Sequence, residues 1–151
     1  FKINDRFVHM EPTSPGAEDA VRLRERGLRS TAPRRATLRL LRQGGHYTAA
    51  ETFARVRTEL PGTSQQAIYN VLAALTEVGL ARKIELQGNT ALYESHLGDN
   101  HHHVVCERCG RFEDVPCTVG AAPCLTPSES HGFDISSADV TYRGLCPDCA
   151  E

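Results

Sequence analysis

The stretch Thr63-Ser-Gln-Gln-Ala-Ile-Tyr-Asn-Val-Leu-Ala-Ala-Leu-Thr-Glu-Val-Gly79 decides the fold. Ile68, Val71, Leu72, Leu75 and Val78 recur at three- and four-residue intervals, the period of a helix with one apolar stripe. Thr63-Ser64-Gln65-Gln66 has the capping-box pattern at the start, and Gly79 ends the helix. Directly after it come Leu80–Gln87 and Thr90–Ser95, two strand-like runs around Gly88-Asn89, a hairpin turn signal. A helix followed at once by a short hairpin is the winged-helix arrangement. This helix then holds the recognition position of a helix-turn-helix unit. Its polar face carries Ser64, Gln65, Gln66, Tyr69 and Asn70. Gln and Asn pair bidentately with adenine edges, and Tyr or Ser reaches phosphate. Plain solvation of a small helical domain is the alternative for the same face.

Three helical segments precede it. Glu18–Arg26 closes at Gly27, a C′ position. The next starts near Thr31 with Pro33 in its first turn, points Leu38 and Leu41 inward and ends at Gly44-Gly45. The third opens with Thr48-Ala-Ala-Glu51, a capping box, presents Phe53, Val56 and Leu60, and stops at Pro61.

Charge divides the 151-residue chain in two. Ala20–Lys83 carries twelve Lys+Arg against four Asp+Glu, a net of +8, and Ile84–Glu151 carries three against eleven, a net of −8. The basic half is suited to a polyanion, with Arg34, Arg35, Arg55, Arg57, Arg82 and Lys83 as expected phosphate contacts. No apolar run approaches the length that spans a bilayer. Phe1–His9 reads as vector-derived, with Met10 as the natural start, which sets residues 1–10 apart from the fold. The expected domains are a winged helix over 11–95 and a metal-binding domain over 96–151.

Four of the six cysteines form two pairs, Cys106-Glu-Arg-Cys109 and Cys146-Pro-Asp-Cys149. With no secretory leader evident, metal binding in a reducing cytoplasm is a better account than disulfides. Each Cys-x-x-Cys turn converges two thiolates on one ion, and two turns complete a closed tetrahedral Cys₄ zinc site. Two redox-active dithiols are the alternative. His101-His-His-Val-Val-Cys106 reads as a strand, so His101 and His103 share one face while His102 and Cys106 share the other. That alternation predicts a second metal site, distinct from the thiolates. Imidazole with carboxylate suits Fe(II), Mn(II) or Zn(II). Candidate carboxylates are Glu94 and Asp114, and His46 offers a third imidazole. Cys117 and Cys124 remain in a Pro- and Gly-rich loop, either as a redox pair or as two unpaired thiols.

The chain resembles the Fur (ferric uptake regulator) family of metal-dependent repressors from Ala20 to Cys149. The matching stretches are Gly27-Leu-Arg-Ser-Thr-Ala-Pro-Arg-Arg35, Gln66-Ala-Ile-Tyr-Asn70, Asn100-His-His-His-Val-Val-Cys-Glu-Arg-Cys-Gly110 and Tyr142-Arg-Gly-Leu-Cys-Pro-Asp-Cys149. Gly98-Asp-Asn-His-His-His and Val119-Gly-Ala-Ala-Pro-Cys-Leu-Thr are most similar to the actinobacterial FurA/CatR branch, associated with catalase-peroxidase genes. The resemblance implies a DNA-binding repressor rather than an enzyme, a cytoplasmic homodimer, and a double-stranded operator as partner. It implies an α+β chain: an N-terminal winged helix, then a C-terminal α/β dimerisation domain with the Cys₄ zinc. It implies a regulatory Fe(II) or Mn(II) site at His46, Glu94, His101, His103 and Asp114, with Ser95 and His96 as neighbouring alternatives at the wing position. His102 and His131 match two ligands of a third site, with no acidic match. The peroxide-sensing PerR branch has Asp where this chain has Glu94. The expected mechanism is peroxide sensing by oxidation of His46 or His101. The alternatives are an iron- or zinc-uptake regulator with reversible occupancy, and a switch on Cys117, Cys124 or the zinc thiolates.

Overall fold

The computed structural model describes residues 15–86, 90–96, 101–118, 125–136 and 138–150. The expectations for residues 1–10, for the Gly88-Asn89 turn and for Cys124 lie outside them. The chain divides into two compact units, Phe1–Leu97 and Gly98–Glu151.

The first unit has four helices, α1 (Pro15–Glu25), α2 (Ala32–Arg42), α3 (Ala49–Glu59) and α4 (Gln65–Glu77). They are followed by an antiparallel pair, β1 (Ala81–Glu85) and β2 (Ala91–Ser95). The helix ends follow local chemistry. Gly27 at φ 75° closes α1: its N–H donates to Arg24 O, and Leu28 N–H donates to Leu23 O. Gly79 at φ 71° closes α4 in the same way, with Leu80 N–H on Leu75 O. This paired pattern satisfies carbonyls that a helix end leaves open, at a φ that glycine adopts without strain. At α3 both halves of the capping box are present between Thr48 and Glu51. The start of α4 differs from expectation. Ser64, not Thr63, is the N-cap, and it accepts from Ala67 N–H. Ala67 has no polar side chain to return the bond, so the box is reduced to a single cap. The α1 helix begins at Pro15, three residues before the expected Glu18.

Leu38 and Leu41 of α2, Val56 of α3, and Ile68, Val71, Leu72 and Leu75 of α4 are buried in one core with Leu23, Leu80 and Tyr93. Each fully buried Leu contributes about 1.5–3 kcal/mol of transfer free energy. Val78, expected in the stripe, is the C-cap residue and is half-buried. Three polar residues, Asp19, Thr37 and Thr52, are fully buried where the apolar pattern gave no sign of them. Thr52 bonds the Thr48 carbonyl, and Asp19, fully buried, accepts from Arg42. A buried carboxylate is tolerable only with such a partner.

The strand pairing supplies the hairpin register, which the sequence reading left open. Glu85 pairs with Ala91, and Leu86 N–H donates to Thr90 O. A one-residue slip changes every cross-strand partner. Arg82 therefore stands opposite Glu94, and Lys83 opposite Tyr93.

The second unit is a three-stranded sheet in the order β4-β3-β5, from β3 (His101–Cys106), β4 (Phe112–Pro116) and β5 (Thr141–Gly144). β4 runs antiparallel to β3, and β5 runs parallel to it. A parallel partner requires a long crossover, here the segment 117–140. Among its described residues there is no α-helix; this unit's described helix is the 3₁₀ turn Pro147–Cys149.

Candidate metal centres and nucleic-acid interface

The parallel pairing of β3 with β5 assembles the thiol cluster. Cys106 pairs with Gly144, so both strands end on the same side and run into their Cys-x-x-Cys turns together. In the first turn Gly110, at φ 75°, donates to Cys106 O. In the second, Cys149 and Ala150 N–H both donate to Cys146 O. The four sulfurs all lie within 4.8 Å of one another. Cys109 Sγ and Cys146 Sγ are 3.7 Å apart, far beyond bonding distance, and none of the five described cysteines forms a disulfide.

The protonation pattern fits a cation. Backbone N–H bonds, first from Cys109 and then from Cys146, bring the Cys106 thiol down to about 6. The hydrogen bond with Cys146, reinforced by desolvation, pushes Cys149 up to about 12. Cys146 is also raised, chiefly by desolvation. Cys106 ionises readily, whereas Cys146 and Cys149 resist accumulating negative charge. A zinc ion removes that resistance, and the donor set is that of a closed structural site.

On the other face of β3, His101 and His103 flank Asp114. Their Nε2 atoms lie 3.9 and 3.8 Å from Asp114 Oδ1, and their rings meet edge-on at 4.9 Å. Cross-strand pairing of His103 with Asp114 fixes this arrangement. His103 is buried against Phe112, whereas Asp114 is half exposed. His102 points away, as alternation requires, and its ring lies 6.3 Å from Tyr142. His131 is exposed beside Glu129. Among the described residues, these two histidines fall in no group of three potential ligands.

In the first unit, Tyr47 and Tyr93 exchange backbone hydrogen bonds of 3.0 and 2.8 Å. This bridge sets their neighbours His46 and Glu94 side by side, with Nε2 to Oε2 at 2.8 Å. Glu94 is buried, whereas Ser95 is half-buried and His96 exposed, so Glu94 is the wing residue that faces His46. Its other oxygen lies 3.3 Å from Arg82, an ion pair that sequence reasoning missed. Its signal is the strand register, which pairs Arg82 with Glu94.

The α4 face is open. Ser64, Gln65, Gln66, Tyr69 and Asn70 are all exposed, and Gln66 Nε2 donates to Asn70 Oδ1 across one turn at 3.1 Å. The six expected phosphate contacts are all engaged within the unit. Arg34 and Arg35 donate to the carbonyls of Arg29 and Ser30. Arg55 lies over the Tyr47 ring and Arg57 over the Phe53 ring. Lys83 pairs with Glu85 at 2.8 Å. No helix among the described residues is long and apolar enough to cross a membrane.

Four helices with a two-stranded wing, followed by a sheet carrying thiol and imidazole-carboxylate clusters, define the class of metal-responsive DNA-binding regulators. The model of the ferric uptake regulator family matches residues 25–143, and the chain belongs to that family. It is a metal-responsive transcriptional regulator and not an enzyme. The chain is 51% identical over 131 residues to the transcriptional regulator FurA of Mycobacterium tuberculosis, covering 87% of this chain and 89% of that protein. It is 49% identical over 131 residues to ferric uptake regulation protein 2 of Mycolicibacterium fortuitum, covering 85% and 90%. More distant is the peroxide-responsive repressor PerR of Staphylococcus epidermidis, 28% identical over 140 residues, with 89% of each covered. Among solved structures, the fold matches the Helicobacter pylori ferric uptake regulator, at TM-score 0.67 and 18% identity over 94% of this chain and 98% of that one. It also matches the Pseudomonas aeruginosa regulator solved with manganese, at TM-score 0.66 and 20% identity over 85% and 98%.

Proposed function

We propose that this chain is an Fe(II)- or Mn(II)-dependent repressor that senses peroxide. It works as a cytoplasmic homodimer, lays α4 into the major groove of a double-stranded operator, and controls catalase-peroxidase-type genes. The observation that carries this reading is the pair of thiol-free donor sets, His46 with Glu94 and His101 with His103 and Asp114. Such nitrogen and oxygen donors suit iron and manganese, and also accept zinc. In this reading the five residues serve one regulatory ion, so that metal and DNA each raise the affinity for the other. The exposed Gln66–Asn70 pair, with Gln65, Ser64 and Tyr69, supports α4 as the base-reading element. Cys106, Cys109, Cys146 and Cys149 hold a structural zinc.

Ferrous iron among such ligands supplies the means to activate H₂O₂. One peroxide oxygen is transferred to a ring carbon of His46 or His101, and the other leaves as water. The oxidised ring is a poorer donor, so the ligand set weakens and the operator is released. Similarity to a peroxide-responsive repressor supports this step.

The test is anaerobic loading of the reduced protein with Fe(II), addition of a few equivalents of peroxide, and peptide mass mapping. One added oxygen on His46 or His101, absent from an Mn(II) control, is the expected result. Retained iron with no oxidised residue favours a second reading, a reversible uptake regulator, to which the similarity with ferric uptake regulation protein 2 points. Oxidation confined to Cys117, Cys124 or the zinc thiolates moves the switch to sulfur.

A further inference from the structure

We propose that Arg82 couples metal occupancy to DNA contact. It is held by Glu94 while the site lacks metal, and handed to a backbone phosphate when Glu94 ligates the ion. The inference rests on the reading of His46 and Glu94 as metal ligands.

Glu94 is 4% exposed, and its two oxygens face two different side chains. Oε2 lies 2.8 Å from His46 Nε2, and Oε1 lies 3.3 Å from the Arg82 guanidinium. A carboxylate this buried requires such compensation. Arg82 is not buried to the same degree, with a quarter of its side chain exposed on the wing. Its position is fixed by the strand pairing that sets it opposite Glu94. Of the six basic residues expected to meet phosphate, Arg82 is the one whose anchor is itself a proposed metal ligand. Arg34, Arg35, Arg55, Arg57 and Lys83 are held by carbonyls, aromatic rings or Glu85. When Glu94 and His46 give their lone pairs to a divalent cation, Arg82 loses part of its attraction to Glu94 and gains a like charge beside it. Its long apolar stem allows the guanidinium to turn outward without moving the strand. Arg82 is thus a positioning residue in the free protein and a phosphate contact in the loaded one.

The test compares wild type, R82Q and R82K as full chains, with and without Mn(II), which avoids oxidation. Duplex DNA selected in vitro by the Mn(II)-loaded wild type serves as probe, across a salt series. Without Mn(II), R82Q should lose clearly less DNA affinity than it loses with Mn(II). With Mn(II), R82Q should bind roughly tenfold more weakly, and its log–log salt slope should be shallower by about one per chain. R82K should restore the slope. In the absence of DNA, R82Q should bind Mn(II) severalfold more tightly, because Glu94 is no longer shared. An equal loss of DNA affinity with and without Mn(II) would make Arg82 an ordinary phosphate contact and overturn the proposal. So would weaker Mn(II) binding by R82Q, which would mark Arg82 as support for the ligands. H46A separates the two levels: if it leaves Mn(II) affinity unchanged, the ligand reading itself has failed.

Discussion

Cys106 and Cys149 show how far neighbours separate chemically identical side chains. The first is lowered to about 6 by backbone N–H donors, and the second is raised to about 12 by its bond with Cys146 and by desolvation. A bound cation offsets the negative charge that Cys146 and Cys149 resist. Cys149→Ser should therefore drop the zinc content well below roughly one per chain, measured by elemental analysis of purified protein. A fully zinc-loaded C149S would exclude Cys149 as a ligand. Core residues behave more simply. Leu72 is fully buried, and Leu72→Ala should cost about 2–5 kcal/mol in urea unfolding. The sequence made both kinds of residue legible, because Cys-x-x-Cys spacing and apolar periodicity are local signals. Asp19 and Arg42 were not legible. A charged pair in sequence reads as solvated surface until packing shows the carboxylate fully buried.

At the scale of elements, caps decide where helices start. Thr48→Ala should destabilise by about 1 kcal/mol. Glu51 is held below its ordinary value, first by the Thr48 backbone N–H and then by the Thr48 hydroxyl. A depressed carboxylate contributes stability above its unfolded pKa and loses it as pH falls through the folded one. The stability advantage of wild type over Glu51→Gln should hold from neutral pH down to about 4.5 and shrink below it. Thermal melts across that range check this, and an advantage that grows on acidification would contradict the capping role. For α4 the sequence offered two hydroxyls in succession, Thr63 and Ser64. The capping pattern favoured the first, yet the backbone uses the second. Adjacent Ser and Thr compete on nearly equal terms, and packing of the Ile68–Leu75 stripe settles the phase.

At the scale of the whole molecule, the two units should respond separately to metal removal. Stripping zinc with a strong chelator should raise hydrogen exchange throughout β3 and β5. The α2 and α4 amides should stay protected, because their core, from Leu38 to Leu75, contains no thiol. Simultaneous loss of protection in both units would show that the zinc supports the entire fold.

The sequence by itself determined the helices, the wing, the cysteine pairs and the histidine alternation, because each depends on spacing within a few residues. Only the tertiary structure decided which distant groups meet. The register of β1 against β2 sets Arg82 opposite Glu94. The Tyr47–Tyr93 bridge sets His46 beside that same Glu94. The parallel pairing of β3 with β5 brings two Cys-x-x-Cys turns to one place. Register and crossover follow from packing summed over a whole unit, and no short window of sequence carries that sum.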